Sequence, residues 1–168
     1  TAATSANPEE RLRIKSNGTI TTATSGTSNL RLGSSAGVSI ASGGNYNTLI
    51  GDAAGAALTT ADYTTAVGYQ AANNITTPGE GLTAVGAHAL YTNTTGEDLV
   101  AVGRAALYSN TTGEDNVAIG RSALQSNTTA SNNIGIGYQA LFAATTGNQN
   151  VAIGSNALDA NTVGDRNV

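Results

Sequence analysis

Short apolar segments recur along the chain at a nearly constant spacing. Each segment ends in an apolar residue followed by glycine, and the glycines are 17, 18, 17, 17, 17 and 17 residues apart: Gly51, Gly68, Gly86, Gly103, Gly120, Gly137 and Gly154. Seven units therefore begin at Asn47, Thr64, Leu82, Leu99, Asn116, Asn133 and Asn150. A fixed period of this kind predicts a repeat architecture in which each unit forms one structural turn.

The first residues of a unit alternate as a short β-strand does. Counted from Leu99 as position 1, positions 2 and 4 are Val100 and Val102, and position 3 between them is Ala101. Successive side chains lie on opposite faces of a strand, so one face is bulky and the other is small. We expect the bulky face to be buried inside the turn, and the small face to let backbones approach closely at another contact.

The second half of each unit fits more than one local structure. Position 8 is always alanine, and position 9 is leucine in the last five units: Leu90, Leu107, Leu124, Leu141 and Leu158. We expect a second short strand or bent segment here, with short helical turns in the later units as the alternative. Asn-Thr-Thr-Gly follows and predicts a tight turn whose glycine takes a positive φ.

The pattern divides the chain into three parts. Residues 47–168 form the regular repeat, which stops at the start of a further unit, as expected for a piece of a longer protein. Residues 11–46 keep the register loosely and predict degenerate β repeats or an N-terminal cap, and residues 1–10 are a polar lead-in. Together they predict an all-β fold, a β-solenoid of about seven to nine turns of 17–18 residues.

A single turn of this kind does not fold alone. Its large apolar side chains, such as Val100, Val102 and Leu107, are too few to offset the conformational entropy of ordering a whole unit. Turns must therefore stack at strand spacing, about 4.8 Å, so that their small cores join into one column. Because even this column is thin, we expect self-association, most simply as a parallel homotrimer.

Composition excludes several classes of protein. Of the 168 residues 11% are charged and 4% are aromatic, and the chain has no Cys, Met or Trp. The lack of cysteine excludes disulfides and thiolate metal sites. A net charge of −4 with seven Lys+Arg argues against nucleic acid and anionic membranes as partners, because both require clustered cations. The apolar runs are also far shorter than the roughly 20 residues of a membrane span.

Catalytic and metal chemistry find little support. His88 is the single histidine and occupies a variable position of the unit, which favours an exposed site over a general base. The acidic pairs Glu97-Asp98 and Glu114-Asp115 would lie one turn apart, where Ca²⁺ could bridge them. The next unit carries Ser131-Asn132 instead, and an interrupted acidic column favours a solvated edge. We therefore predict no enzyme, no cofactor and no metal site.

Three repeated features remain as candidates for surface function. Columns of Thr-Thr pairs suggest ice binding, although adjacent residues on a strand face opposite ways, so only one row would lie on a flat face. Asn93, Asn110 and Asn127 begin Asn-Thr-Thr, which is either a glycosylation acceptor or a capped turn. Aromatic residues at position 10 suggest carbohydrate contacts or packing between subunits, of which we favour packing. The candidate contact residues are Tyr91, Tyr108, Phe142, Arg104 and Ser109.

The repeat sequence resembles two families of fibrous proteins. "NVAIGRSAL" and "NIGIGYQAL" are similar to repeats in the head domains of trimeric autotransporter adhesins, whose repeat is shorter. "ALYSNTTG" and "ERLRIKSNGTI" resemble repeats of bacteriophage tail-fibre proteins. The resemblance covers residues 47–168 well and residues 9–22 loosely. It implies a parallel homotrimer of β-rolls in an elongated, surface-exposed fibre.

These observations lead to a hypothesis and two alternatives. The chain is expected to be a structural segment of a tail fibre or similar appendage of a virion, giving a stiff trimeric shaft that presents or contributes to host adhesion. Its partners would be itself, other fibre or virion proteins, and a host cell-surface glycan. The alternatives are a glycan-binding adhesin module on a bacterial cell surface and an ice-binding solenoid.

Overall fold

The computed structural model describes residues 13–14, 20–21, 28–76 and 80–168. These residues contain strands and turns but no helix, so the prediction of an all-β fold is confirmed. The polar lead-in predicted for residues 1–10 lies outside the described residues. The strands are β1 (Arg13–Ile14), β2 (Ile20–Thr21), β3 (Leu30–Leu32), β4 (Thr48–Ile50), β5 (Thr65–Val67), β6 (Thr83–Val85), β7 (Val100–Val102), β8 (Val117–Ile119), β9 (Ile134–Ile136) and β10 (Val151–Ile153).

Strands β3 to β10 form one parallel sheet in chain order. Equivalent residues of successive units pair across it, as Val100 with Val117 and Ala101 with Ala118. Each unit thus contributes one strand and then returns to pair with the next, which is a β-solenoid. The solenoid includes the unit that begins at Asn29, whereas β1 and β2 pair antiparallel with each other.

In β5 to β10 the small face of the strand points into the coil, so the prediction that the bulky face is buried was wrong. Ala101 is fully buried in β7, whereas Val100 and Val102 on either side of it are only half-buried. The reason is space, because the leucine at position 9 already fills the coil behind the sheet. At Gly135 in β9, an added Cβ would lie 3.3 Å from Leu124 Cγ, which leaves room there for little more than a methyl group.

The second half of the unit is a bent segment, as one of our two expectations had it. Ala106 N donates to Gly103 O at 3.3 Å, and Asn110 N donates to Leu107 O at 3.2 Å. Leu107 between these turns has a φ of 48°. A leucine in this left-handed region is unusual. It is held there because its side chain fills the core, where its exposed fraction is 0%.

The Asn-Thr-Thr-Gly corner has a different geometry from the predicted one. Positive φ is found not at its glycine but two residues later, as at Asp98 (51°) and Asp115 (55°). Gly96 is needed for another reason, since a Cβ there would lie only 2.6 Å from Asn93 Oδ1 and would also collide with the carbonyl of the next turn. At Gly96 the close approach to the next turn therefore leaves no room for a side chain, whereas the equivalent position of a later turn accepts Ala130.

The first described turn carries a charged residue at the inward position. Arg31 occupies position 3 of its unit, and its Nε donates to Ala36 O at 2.6 Å. Burial lowers the pKa of the guanidinium from its ordinary value. The hydrogen-bonded guanidinium of Arg31 thus covers the end of the apolar column that lies at the first turn.

Candidate functional site

The outward side of the parallel sheet carries two rows of mostly aliphatic side chains. Because the strands pair in register, equivalent residues stack at about 4.8 Å along the sheet. Position 4 contributes Leu32, Ile50, Val67, Val85, Val102, Ile119, Ile136 and Ile153, and position 2 contributes Leu30, Thr48, Thr65, Thr83, Val100, Val117, Ile134 and Val151. We call these two rows the aliphatic face.

The aliphatic face is open to solvent in a single chain. Ile119 is 39% exposed, and Ile153 on the last strand is 70% exposed. The interior does not need these side chains, since alanine, leucine and asparagine already fill it. Apart from Leu32, the other side chains of the two rows are half-buried, and threonines occupy position 2 in β4 to β6, so the aliphatic face is a partly exposed and mostly apolar surface. Sequence reasoning identified these residues but assigned them to the core.

A second surface is formed by aromatic side chains. Tyr91 and Tyr108 stack with their ring centroids 5.2 Å apart and an interplanar angle of 10°. The imidazole of His88 lies edge-on to them, 5.6 Å from Tyr91, and is 5.2 Å from the ring of Tyr69. We call Tyr69, His88, Tyr91 and Tyr108 the aromatic patch.

His88 is more enclosed than its variable position predicted. It is half-buried among three tyrosines, and its Nε2 lies 3.1 Å from Gln70 Oε1. Sequence reasoning also missed Tyr69, which stands at position 6 rather than position 10. The available signal was the stacking itself, since aromatic residues at positions 6, 7 and 10 of neighbouring turns come together once the turns are in register.

The remaining predicted contact residues lie apart from this patch. Phe142 lines an open depression of about 300 Å³ together with Gln139 and Asp159. Arg104 is exposed directly after β7, and Ser109 is half-buried with its backbone N–H donating to Gln125 O at 3.0 Å. The structure therefore brings Tyr91 and Tyr108 together but does not join all five candidates into one site.

The asparagines of the corner are structural. Asn93, Asn110 and Asn127 are fully buried, which makes them unsuitable as glycan acceptors and confirms the capped turn. Each Nδ2 donates to the carbonyl three residues later, at 2.9, 3.0 and 3.1 Å. The amides also bond between turns, since Asn110 donates to Asn93 Oδ1 at 2.8 Å and Asn127 to Asn110 Oδ1 at 2.7 Å. We call this column the asparagine ladder.

One of the two threonine columns forms hydrogen bonds between turns at the same corner. Thr111 Oγ1 donates to Thr128 O at 2.9 Å, and Thr128 Oγ1 donates to Thr145 O at 3.1 Å. The first threonine of each pair therefore helps to join turns instead of presenting a free hydroxyl. Only the second threonine, such as Thr112, is exposed. Only one row of threonines is therefore exposed, as the alternation of side chains predicted.

Metal ligands and membrane spans were also considered over the described part of the chain. Within it, no group of three or more His, Cys, Asp or Glu side chains is placed to hold a metal ion. The described residues also include no helix with the length and apolarity needed to cross a membrane.

Comparison with known proteins gives no match. No family model matches the chain, and neither the curated proteins nor the solved structures contain a match. The resemblance to tail-fibre and adhesin repeats therefore rests on the quoted repeat residues alone.

Proposed function

We propose that this chain is a structural segment of an elongated homotrimeric fibre, such as a phage tail fibre or a related appendage. The observation that carries the proposal is the aliphatic face. Its rows run along the whole sheet, from Leu32 in β3 to Ile153 in β10. Burial of such a surface against copies of itself provides the driving force for a fibre.

Self-association through this face explains how a small unit gives a stiff shaft. Each added turn lengthens the coil by about 4.8 Å and adds two outward side chains to the interface. The contact with neighbouring copies therefore grows in proportion to the length, as it does between turns of one chain. A second apolar column between the chains supplements the thin column of alanine and leucine inside each of them.

The setting follows from the resemblance to tail-fibre and adhesin repeats. Threefold symmetry, attachment to other fibre or virion proteins and an adhesive role toward a host surface belong to this proposal. A bacterial cell surface is the alternative location. The function is mechanical, and it involves no catalytic residue, cofactor or nucleic acid.

Light scattering coupled to size exclusion tests the assembly. We expect a mass three times the 16.6 kDa of one chain. Val102→Thr with Ile119→Thr makes two adjacent positions of the outward position 4 row polar without changing the interior, and this variant should dissociate at a higher concentration than the wild type. Thr112→Val changes an exposed residue outside the aliphatic face and serves as the matched control. A wild-type chain that stays monomeric at all concentrations would contradict the proposal.

A glycan-binding module is the second candidate, and the aromatic patch favours it. Stacked tyrosines beside amide groups provide the apolar face and the hydrogen bonds that sugars require. Binding to a glycan array that is lost in Tyr91→Ala with Tyr108→Ala would support this function. Tyr63→Ala is the matched control because Tyr46 and Tyr63 form a separate stacked pair, with centroids 5.3 Å apart.

A further inference from the structure

The two edges of the aliphatic face carry side chains of complementary chemistry. The leading edge is the residue two before each strand, and the trailing edge is the residue two after it. In β7 these are Asp98 and Arg104, and in β8 they are Asp115 and Arg121. All four are exposed. Two consecutive strands thus have an acidic leading edge and a basic trailing edge.

Within one chain, these charges lie at opposite ends of their strands. Asp98 precedes the three residues of β7 and Arg104 follows them, and the backbone bends at Asp98 and at Gly103, which both have a positive φ. The guanidinium of Arg121 lies 4.5 Å from the ring centroid of Tyr138, one turn further along the same edge. This cation–π contact holds the positive charge at the trailing edge, where a partner can reach it.

The other strands carry no acidic leading edge with a basic trailing edge: β4 has Tyr46 and Asp52 at these places, and β10 has Gln149 and Ser155. Tyr63 and Tyr69 flank β5, whereas Asn132 and Tyr138 flank β9. In β5 and β9 the two side chains could contact each other favourably if the leading edge of one copy lay against the trailing edge of another. The strand β6, which precedes the charged strands, has Gly81 and Ala87 at these places and contributes no charge.

Symmetry determines which edges meet. When parallel copies are related by rotation about the fibre axis, the trailing edge of one copy meets the leading edge of the next at the same height. When copies pack antiparallel, face to face, each leading edge meets another leading edge. Asp98 and Asp115 would then face carboxylates, and the arginines would face arginines. The charge pattern therefore favours parallel copies and opposes antiparallel ones.

We propose that Asp98 and Asp115 of one copy pair with Arg104 and Arg121 of the neighbouring copy, and that these pairs set the parallel orientation and axial register of the fibre. The inference rests on the proposed self-association through the aliphatic face. The aliphatic rows alone are nearly uniform along the axis and distinguish poorly between registers. A slip of one turn leaves one aspartate and one arginine unpaired, because β6 and β9 carry no charge at their edges.

Charge reversal tests the pairing. Asp98→Arg with Asp115→Arg makes both edges basic and should raise the concentration for half-dissociation, followed by light scattering, by about tenfold at low salt. The same loss should shrink in 1 M salt, where the Debye length is about 3 Å. Adding Arg104→Asp and Arg121→Asp to this variant swaps the two edges and should return the assembly to wild-type stability. Circular dichroism verifies that each variant keeps its β structure.

The absence of cysteine from the chain permits a second test of orientation. Asp98→Cys with Arg104→Cys, treated with a short bismaleimide, should give covalent trimers on a denaturing gel. Each single substitution alone should give none. Cross-linked dimers from Asp98→Cys alone would show leading edge against leading edge and would overturn the proposal.

The outcomes separate this inference from the proposed function. A monomeric wild type contradicts the fibre itself. A wild-type trimer that withstands the reversal unchanged, or a swapped variant that remains folded but does not reassemble, overturns the edge pairing and leaves the fibre intact.

Discussion

The turns that begin at Asn47 and Thr64 fill the coil with different chemistry from the turns that begin at Leu82, Leu99 and Asn116. In the early turns position 12 is apolar, as Leu58 and Ile75, whereas in the later turns it is asparagine, as Asn93 and Asn110. All four side chains are fully buried. One backbone geometry therefore accepts either an apolar residue or an amide at the same inward position.

The early turns compensate for volume elsewhere in the coil. Position 9 is Gly55 and Ala72 in these two units, where later units have leucine. A Cβ added to Gly55 would lie 3.0 Å from Leu49 Cδ2, so the larger residue at position 3 occupies the space that Leu107 fills later. In the turn that begins at Asn47, a large side chain at position 3 thus takes the place of one at position 9, as close packing requires.

An apolar residue and an asparagine at position 12 differ in the contacts that they need from neighbouring turns. An apolar side chain needs only space, whereas a buried amide needs partners in adjacent turns. The asparagine ladder ends at Ala144, and Asn127 Oδ1 is left buried without a hydrogen bond. The stability provided by asparagine at position 12 is therefore cooperative along the axis, whereas that provided by an apolar residue is local.

The largest loss of stability is expected when an amide is placed at position 12 among the apolar turns. Leu58→Asn should destabilise the protein by about 3–5 kcal/mol, because it leaves a cavity beside Gly55 and an amide between Ile40 and Ile75, which offer no side-chain partner. Urea unfolding at fixed protein concentration measures the loss. Thr60→Asn, at an exposed position, should change stability little.

The reverse change removes the middle of the ladder. Asn110→Ala deletes the bonds of Asn110 to Asn93 and to Gly113 and leaves Asn127 without its inter-turn acceptor, so we expect a loss of about 2–3 kcal/mol. Thr112→Ala on the exposed side of the corner is the control. An Asn110→Ala loss no greater than the control would mean that the ladder contributes nothing.

Extending the ladder should stabilise the fold. Ala144→Asn places an amide next to Asn127 Oδ1 and in line with Asn161, and a gain of about 1 kcal/mol is expected from one new hydrogen bond to a buried orphan acceptor. The midpoint of urea unfolding reports it. Ala143→Asn, one residue earlier and less buried, should produce no such gain.

The smallest loss of stability, that of one threonine hydrogen bond between turns, should be the same in the early and the later turns. Thr59 Oγ1 donates to Thr76 O at 3.1 Å in an early turn, and Thr111 Oγ1 donates to Thr128 O at 2.9 Å in a later one. Thr59→Val and Thr111→Val should each cost about 0.5–1 kcal/mol in unfolding free energy. A clear difference between them would show that the corners, and not only the cores, differ between the regions.

Some of the candidate surfaces were accessible from the sequence. The 17-residue spacing of Tyr91 and Tyr108 leads directly to their stacking once units are equated with turns. The contribution of Tyr69 and His88 to the aromatic patch was not accessible from the sequence, because it depends on the distances between positions 6, 7 and 10 around the coil. The residues of the aliphatic face were identified correctly from the sequence, but they were assigned to the buried side of the strand.

The sequence by itself determined the period, the stacking of successive units and the strand at the start of each unit, because a repeat of nearly constant length aligns equivalent residues in successive turns. The tertiary structure decided that parallel strands pair within one chain. Only the tertiary structure decided which strand face is inside. Alternation distinguishes two faces but does not orient them, and hydrophobicity alone favours burying Val100 and Val102. The width left behind the sheet by Leu107 admits Ala101 instead, so the bulky side chains face outward, where another copy can cover them.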